Sequence, residues 1–116
     1  MIAFGYSRLN IKLGSGWLCP SCGYEGSFQT PAFDAVGPLI GSGICVCCGY
    51  EPGFDDVQAA SGVDQSAPVD ALRVYSEEWR TGGMLWRGSI RRMPANWDKQ
   101  AQLDRWERFC RPVLEA

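Results

Sequence analysis

The heptapeptides CPSCGYE at residues 19–25 and CVCCGYE at residues 45–51 share Cys, Cys, Gly, Tyr and Glu in register. Each contains two cysteines separated by two residues, a spacing that lets one tight turn offer two thiolates to one metal ion. The Gly after the second cysteine suits a backbone with positive φ, and such turns direct N–H groups at the sulfur atoms. The repeat therefore predicts one tetrahedral zinc site built by two turns.

The cysteines in register are the predicted ligands of one Zn²⁺ ion per chain: Cys19, Cys22, Cys45 and Cys48. Cys47 aligns with Ser21 and is the predicted non-ligand, although it is a rival to Cys45 or Cys48 in a slightly different geometry. Cys110 lies far away in a helical pattern and is predicted to be a buried thiol. A site with four cysteine ligands has no open position for water or substrate, so it is typical of structural zinc.

Three other interpretations use the same cysteines. Disulfide pairing is disfavoured because residues 1–8 lack the basic start and apolar core of a secretory signal. A redox dithiol at residues 19–22 is disfavoured by the second copy of the turn. An iron–sulfur cluster would take the same four ligands and is the least favoured of the three.

The composition is that of a globular chain of one domain, with 116 residues, 46% hydrophobic and 21% charged. No apolar run approaches the ~18 residues that span a bilayer, so we expect no membrane association and a cytoplasmic location. The chain contains no histidine. It therefore lacks the commonest general base and a frequent ligand of catalytic zinc, and we predict that it is not an enzyme.

Charge is divided unevenly along the chain. Residues 1–68 carry two basic and six acidic side chains, and residues 69–116 carry nine basic and seven acidic ones. The half with the cysteines is therefore acidic, whereas a zinc ribbon that grips phosphates normally has a basic surface. This distribution makes nucleic acid the less favoured partner.

Patterning predicts an α+β fold with a zinc-ribbon-like β region at residues 1–56, a loop at 57–67 and a mainly helical part at 68–116. Two helices are expected to pack against the β region. Residues 1–12 alternate as in a strand or hairpin, and short strands are predicted at 17–18, 44–46 and 84–86. The first helix is predicted over residues 68–79 with Ser66 as its N-cap. The second is predicted to begin after Asn96 and to end at Pro112.

Two groups of residues outside the cysteine turns are candidates for binding a partner. Asp55 and Asp56 follow the second turn, where the more favoured role is to accept hydrogen bonds from backbone N–H groups. The second group combines tryptophan and arginine, the residues that often anchor interfaces, and consists of Trp86, Arg87, Arg91 and Arg92. A solvated arginine face is the equal alternative. Apolar residues of the long loop 26–43 either pack locally or form an exposed binding surface.

At the cysteine turns the sequence resembles the small bacterial cysteine-rich CPCC proteins. Their pattern is a Cys-Pro-x-Cys-Gly-Tyr turn, a spacer, and an Ile-Cys-Pro-x-Cys turn with an acidic tail. Residues 19–24 fit the first turn, and residues 44–51 with Asp55 and Asp56 fit the second. A following helix with aromatic residues is also similar, so the resemblance covers residues 17–80.

The sequence departs from the CPCC pattern at three places. Val46 replaces the second proline, Cys47 is additional, and residues 52–54 separate Glu51 from the acidic pair. The resemblance implies a bound zinc ion and a bacterial origin, and it says little about activity. Residues after 83 lie outside it.

These features predict a structural-zinc protein that acts as a protein–protein binding module. One specific form is a bacterial immunity protein that occludes a cognate toxin, with the acidic half imitating nucleic acid toward a basic nuclease. The alternative is a regulatory zinc ribbon that binds nucleic acid through its arginines.

Overall fold

The computed structural model describes residues 4–56 and 68–115. This part of the chain combines α-helices with a two-stranded antiparallel sheet, as the predicted α+β class requires. Strand β1 is Lys12–Leu13 and strand β2 is Gly16–Trp17, with Lys12 opposite Trp17. Trp17 also bridges Phe28 on the far side of the first cysteine turn, so an antiparallel ladder encloses that turn.

The N-terminal segment differs from the predicted strand or hairpin. Within residues 4–12 the chain forms a 3₁₀ helix at Tyr6–Leu9, and only Lys12 belongs to a strand. Tyr6 and Leu9 are both buried, and residues three apart share one side of a 3₁₀ helix. Burial of Tyr6 and Leu9 favours the 3₁₀ helix over the strand that the alternating pattern predicted. Residues 1–3 lie outside the described residues.

Two other predicted strands are absent from the described part of the chain. Residues 44–46 lead into the second cysteine turn without a strand partner. Residues 84–86 are also irregular, and Met84 has a positive φ of 54° that breaks an extended run. The zinc-ribbon-like pairing predicted around the second turn is thus absent from the described residues, where Tyr75 and the chain at residue 87 bond to this turn instead.

Helix α1 is Pro68–Thr81, close to the predicted span. Its inward face includes Leu72, Ser76 and Trp79, and all three are buried. The predicted N-cap Ser66 and the predicted loop at 57–67 lie outside the described residues. A short 3₁₀ turn at Ile90–Arg92 interrupts the connection to the last helix.

The last helix runs over residues 99–114 in three consecutive segments. Helix α2 is Lys99–Arg105, a π-helical turn is Trp106–Cys110, and helix α3 is Arg111–Leu114. The predicted start was wrong, because the side chain of Asp98, and not of Asn96, accepts a hydrogen bond from Ala101 N.

The predicted end of the last helix was also wrong. Pro112 lies inside helix α3 and does not terminate it. A proline lacks the N–H of a helical residue, and its ring collides with the carbonyl of the preceding turn. The π turn widens the helix directly before it, with Arg111 N bonded to Trp106 O, and so makes room for the ring.

One hydrophobic core joins the two halves of the described chain. It contains Leu9, Leu18 and Phe28 from the N-terminal half, Leu72 from α1, and Trp106 from the last helix, all about 1% exposed. Five cysteines of the two turns belong to the same core. No helix of the described residues is long and apolar enough to cross a membrane.

Replacement of the observed N-cap tests where the last helix begins. We expect Asp98→Ala to lower the free energy of unfolding by about 1 kcal/mol, because Ala101 N loses its acceptor. Asn96→Ala is the control and is expected to change stability by less than about 0.5 kcal/mol. Urea denaturation of both variants measures this, and equal losses would contradict the assignment.

Candidate metal centre

Four thiols meet in the core where the two cysteine turns face each other. They belong to Cys19, Cys22, Cys45 and Cys48, all buried, and their sulfur atoms lie within 4.8 Å of one another. Across the two turns, the Sγ atoms of Cys19 and Cys48 are 3.7 Å apart, as are those of Cys22 and Cys45. This group could hold a metal ion.

The two turns have the same backbone hydrogen bonds. In the first, Cys19 N donates to Tyr24 O and Gly23 N donates to Cys19 O. In the second, Cys45 N donates to Tyr50 O and Gly49 N donates to Cys45 O. The glycine of each turn has a φ near +80°, a conformation that side chains disfavour. The repeated sequence thus folds into a repeated structure.

The helical half covers the first turn by bonding to its carbonyl groups. Trp106 Nε1 donates to Pro20 O at 2.8 Å and Gln102 Nε2 donates to Cys22 O at 3.1 Å. Three further donors complete the set, since Cys110 Sγ, Ser76 Oγ and Arg105 Nη1 donate to the carbonyls of Cys19, Ser21 and Gly23 respectively. Buried carbonyls need such partners, so docking of the helices is part of building the site.

The second turn is held by helix α1 and by the segment that follows it. Tyr75 Oη donates to Cys48 O at 2.8 Å, and Arg87 N donates to Cys47 O at 2.7 Å. Gly88 lies so close to Val46 that a Cβ atom there would stand 2.1 Å from its carbonyl oxygen. The segment at 87–88 is therefore fixed directly against the second turn.

Cys47 lies outside the group of four thiols but is fully buried beside it. Its Sγ accepts a hydrogen bond from Gln102 Nε2 at 3.4 Å. The Gln102 side-chain carbonyl in turn accepts from Trp97 Nε1 at 2.6 Å, so this buried amide is satisfied at both ends. The non-ligand role of Cys47 stays a prediction, and Cys110 is buried as predicted.

Gln102 was not identified from the sequence, although its helical spacing from Trp106 and Cys110 indicates that it is buried. Residues 102, 106 and 110 are one helical turn apart, and all three side chains are buried. The neighbouring Ala101 is exposed. Gln102 lies on the same helix face as Trp106 and Cys110, so its side-chain amide is a buried polar group that needs hydrogen-bond partners.

Burial dominates the electrostatics of the thiols. It raises the pKa of Cys19 and of Cys22 well above the ordinary thiol value. Burial acts on Cys45 in the same direction, but hydrogen bonds from the other three thiols and from Ser27 outweigh it and hold its pKa well below that value. One shared negative charge is therefore favoured, and further thiolates need the positive charge of a cation.

The two predicted partner-binding groups occupy different environments. Asp56 is buried, accepts from Tyr50 Oη at 2.6 Å and from Gly53 N, and is thus a structural group. Asp55 accepts from Glu51 N at 2.7 Å, as the capping interpretation expected. The arginines at 87, 91 and 92 are exposed, and Trp86 is half-buried.

Trp86 is the middle of an aromatic row. Its ring lies 5.3 Å from Tyr24 and 5.3 Å from Trp97, with edge-to-face geometry in both pairs. The row connects the first cysteine turn to the start of the last helix. It fixes the base of the segment that carries the exposed arginines.

Comparison with protein-family models, curated proteins and solved structures gave no match. The resemblance to the CPCC proteins therefore stays a prediction. The function of the chain has to be inferred from the arrangement of its own described residues.

The two turn glycines give a matched pair of variants. A Cβ at Gly23 would lie 2.9 Å from Trp106 Cβ, whereas at Gly49 the nearest atom is Tyr75 Oη at 3.4 Å. We expect Gly23→Ala to lower the free energy of unfolding by about 3 kcal/mol and Gly49→Ala by about 1 kcal/mol. Thermal denaturation measures the difference. Equal effects would contradict close docking of the last helix on the first turn.

Cys22 and Cys47 are both buried cysteines of the turns, but only Cys22 belongs to the four-thiol group. We expect Cys22→Ser to lose the bound metal and the cooperative unfolding transition, because the ion keeps three ligands at most. Cys47→Ser should retain both. Elemental analysis and circular dichroism of the two purified variants provide the measurement. Loss of metal in Cys47→Ser would assign that residue to the ligand set.

Proposed function

We propose that this chain binds one structural Zn²⁺ ion and acts as a binding module for a protein partner. The observation that carries the proposal is the closed group of four buried thiols wrapped by the helical half. Such a site offers no open ligand position to a substrate, so the proposal assigns no catalytic reaction to the chain.

Zinc is proposed because the spacing of the sulfur atoms suits it. A tetrahedron of thiolates with Zn–S bonds of ~2.3 Å has edges of ~3.8 Å. The two cross-turn separations of 3.7 Å agree with that edge. Cys19, Cys22, Cys45 and Cys48 would hold the ion, which would cross-link two loop segments that have little regular structure of their own.

Binding of a protein is proposed from the surface next to the site. The segment 85–92 displays Leu85 and Ile90 at 60% and 69% exposure, beside the arginines at 87, 91 and 92. This segment is anchored at Arg87 N, at Gly88 and at the aromatic row. A fixed backbone that carries apolar and arginine side chains favours association, because little backbone entropy is lost on binding.

Neutralisation of a toxin is the narrower form of this proposal. A small domain stapled by a metal, and acidic over residues 1–68, suits a protein that covers the active surface of a basic toxin. The resemblance to the CPCC proteins supports the zinc part and a bacterial source. It contributes nothing to the choice of partner.

Isolation of the chain from its native cells tests the proposal. We expect one zinc ion per chain by elemental analysis and a complex of fixed stoichiometry with one other protein by light scattering. If the partner is a toxin, co-expression should restore growth of cells that produce it. A zinc-loaded monomer without any partner would contradict the binding function and keep the metal assignment.

A second candidate function is binding of nucleic acid. It is favoured by the exposed arginines at 87, 91 and 92, which form no ion pair within the described residues, and by the neighbouring Trp86. Titration with DNA and RNA at low salt should then show binding that weakens steeply with salt. Arg91→Glu should abolish the binding, and Arg108→Glu on the last helix is the control. No binding at low salt would end this alternative.

A further inference from the structure

Exposed apolar side chains concentrate on one part of the surface that the cysteine site does not use. Among the described residues, five of the eight exposed large hydrophobic side chains come from residues 36–54. Val36 and Ile40 are the extreme cases, at 84% and 88% exposure. A cluster of this kind marks an interaction surface in a folded protein.

Chain packing brings two distant segments of this cluster together. A Cβ atom on Gly53 would lie 2.9 Å from Ile40 Cγ1, so the turn at residue 53 rests directly on Ile40. Phe54, the next residue, is 47% exposed, and Leu39 is 38% exposed. We call this set of side chains the apolar hairpin surface, and it consists of Val36, Leu39, Ile40 and Phe54.

Hydrogen bonds fix the hairpin that carries this surface. Phe33 and Pro38 form a bridge, and the Asp34 carboxylate accepts from the N–H groups of Val36 and Gly37 at 2.9 and 3.0 Å. At its base, the Asn10 amide donates to Phe33 O and accepts from Ala32 N and Phe33 N. The backbone that carries the exposed aliphatic groups is thus fixed before any partner arrives, which lowers the entropy cost of binding.

The long loop at residues 26–43 therefore contains both buried and exposed apolar residues. Phe33 is 3% exposed and packs locally, whereas Val36 and Ile40 point into solvent. Local packing is therefore confirmed for Phe33, whereas a binding role for the exposed Val36 and Ile40 stays a prediction. The buried Phe33 anchors the hairpin in the core, and the nearby Val36 and Ile40 stay exposed to solvent.

Within three residues of each member of the apolar hairpin surface, the charged residues are all acidic. No lysine or arginine occurs between Lys12 and Arg73, and the carboxylates nearest in sequence are Asp34, Glu51, Asp55 and the buried Asp56. The arginine-bearing segment approaches the far end of the loop, where Arg92 and Ile44 line a common groove of about 350 Å³. A partner for this surface should therefore combine apolar contacts with positive charge.

We infer that the apolar hairpin surface binds a second protein through a segment that presents an apolar side chain flanked by lysine or arginine. This inference rests on the proposed protein-binding function and adds a second contact surface, besides segment 85–92, and the chemistry of the partner. The aliphatic groups of Val36 and Ile40 supply the contact area. The surrounding carboxylates select a basic partner and speed the encounter.

Site-specific photo-cross-linking in the native cells tests the inference. The photoreactive amino acid p-benzoylphenylalanine is placed at position 40, at position 90 on the arginine segment, or at the exposed position 74 of helix α1. We expect a cross-link from position 40 to one other protein, through a peptide rich in lysine or arginine. Position 74 is the control and should give none.

Cross-links from the three positions distinguish failure of the apolar hairpin surface from failure of the protein-binding function. Cross-links from position 90 alone would overturn the hairpin surface and leave the protein-binding function standing. No cross-link from any position would overturn both. A cross-link from position 40 to a second copy of this chain, or to an acidic peptide, would also overturn the inference.

Affinity measurements on the purified complex complete the test. We expect Ile40→Lys to raise the Kd at least about 30-fold, because it places a repelling charge in the apolar contact. Val74→Lys adds the same charge to an equally aliphatic site and should change the Kd by less than about 3-fold. Equal effects of the two variants, or a Kd that does not rise with salt, would contradict a basic partner at this surface.

Discussion

Hydrogen bonds from the helices to the carbonyls of residues 19–23 are the constraint on which the rest of this structure depends. Each of these five consecutive residues has its carbonyl oxygen bonded by a side chain from helix α1 or from the last helix. A cysteine turn buried without such donors would lose about 1–3 kcal/mol for each unpaired group. The helices therefore satisfy the backbone of the turn and supply its apolar cover at the same time.

The two cysteine turns are equivalent in backbone but have different surroundings. The first lies under the last helix, and its glycine leaves no room for a Cβ beside Trp106. The second is bonded by Tyr75 and by the chain at 87–88, and this chain continues into the exposed arginine segment. Both copies of the repeat thus belong to the core, and the second also supports the exposed arginine segment.

Local features of the sequence were sufficient to predict the cysteine group and helix α1. The repeat placed four cysteines in register, and the structure brings those four together while Cys47 stays outside the group. Helix α1 followed from the spacing of Leu72 and Trp79, whose burial confirms the pattern. Both features depend on residues close in sequence, where spacing and turn geometry are decisive.

Features that depend on distant contacts could not be predicted in this way. The role of Gln102 requires Cys22, which lies 80 residues earlier in the chain. Pro112 indicated a helix end, but the π turn before it depends on how Trp106 packs in the core. The N-terminal 3₁₀ helix likewise follows from burial of Tyr6 and Leu9, and tertiary packing overrode the local alternation.

The long sequence separation of the bonds to the first turn has a consequence for biosynthesis. Both cysteine turns are complete at residue 51, whereas the last helix begins at residue 99. At typical rates of translation this interval lasts on the order of 2–10 s. During that time the first turn lacks the cover of the last helix, so the proposed ion has an open route to the nascent chain. Once the last helix has been synthesised and docks on the first turn, it covers that route, and exchange of the proposed ion would require partial unfolding.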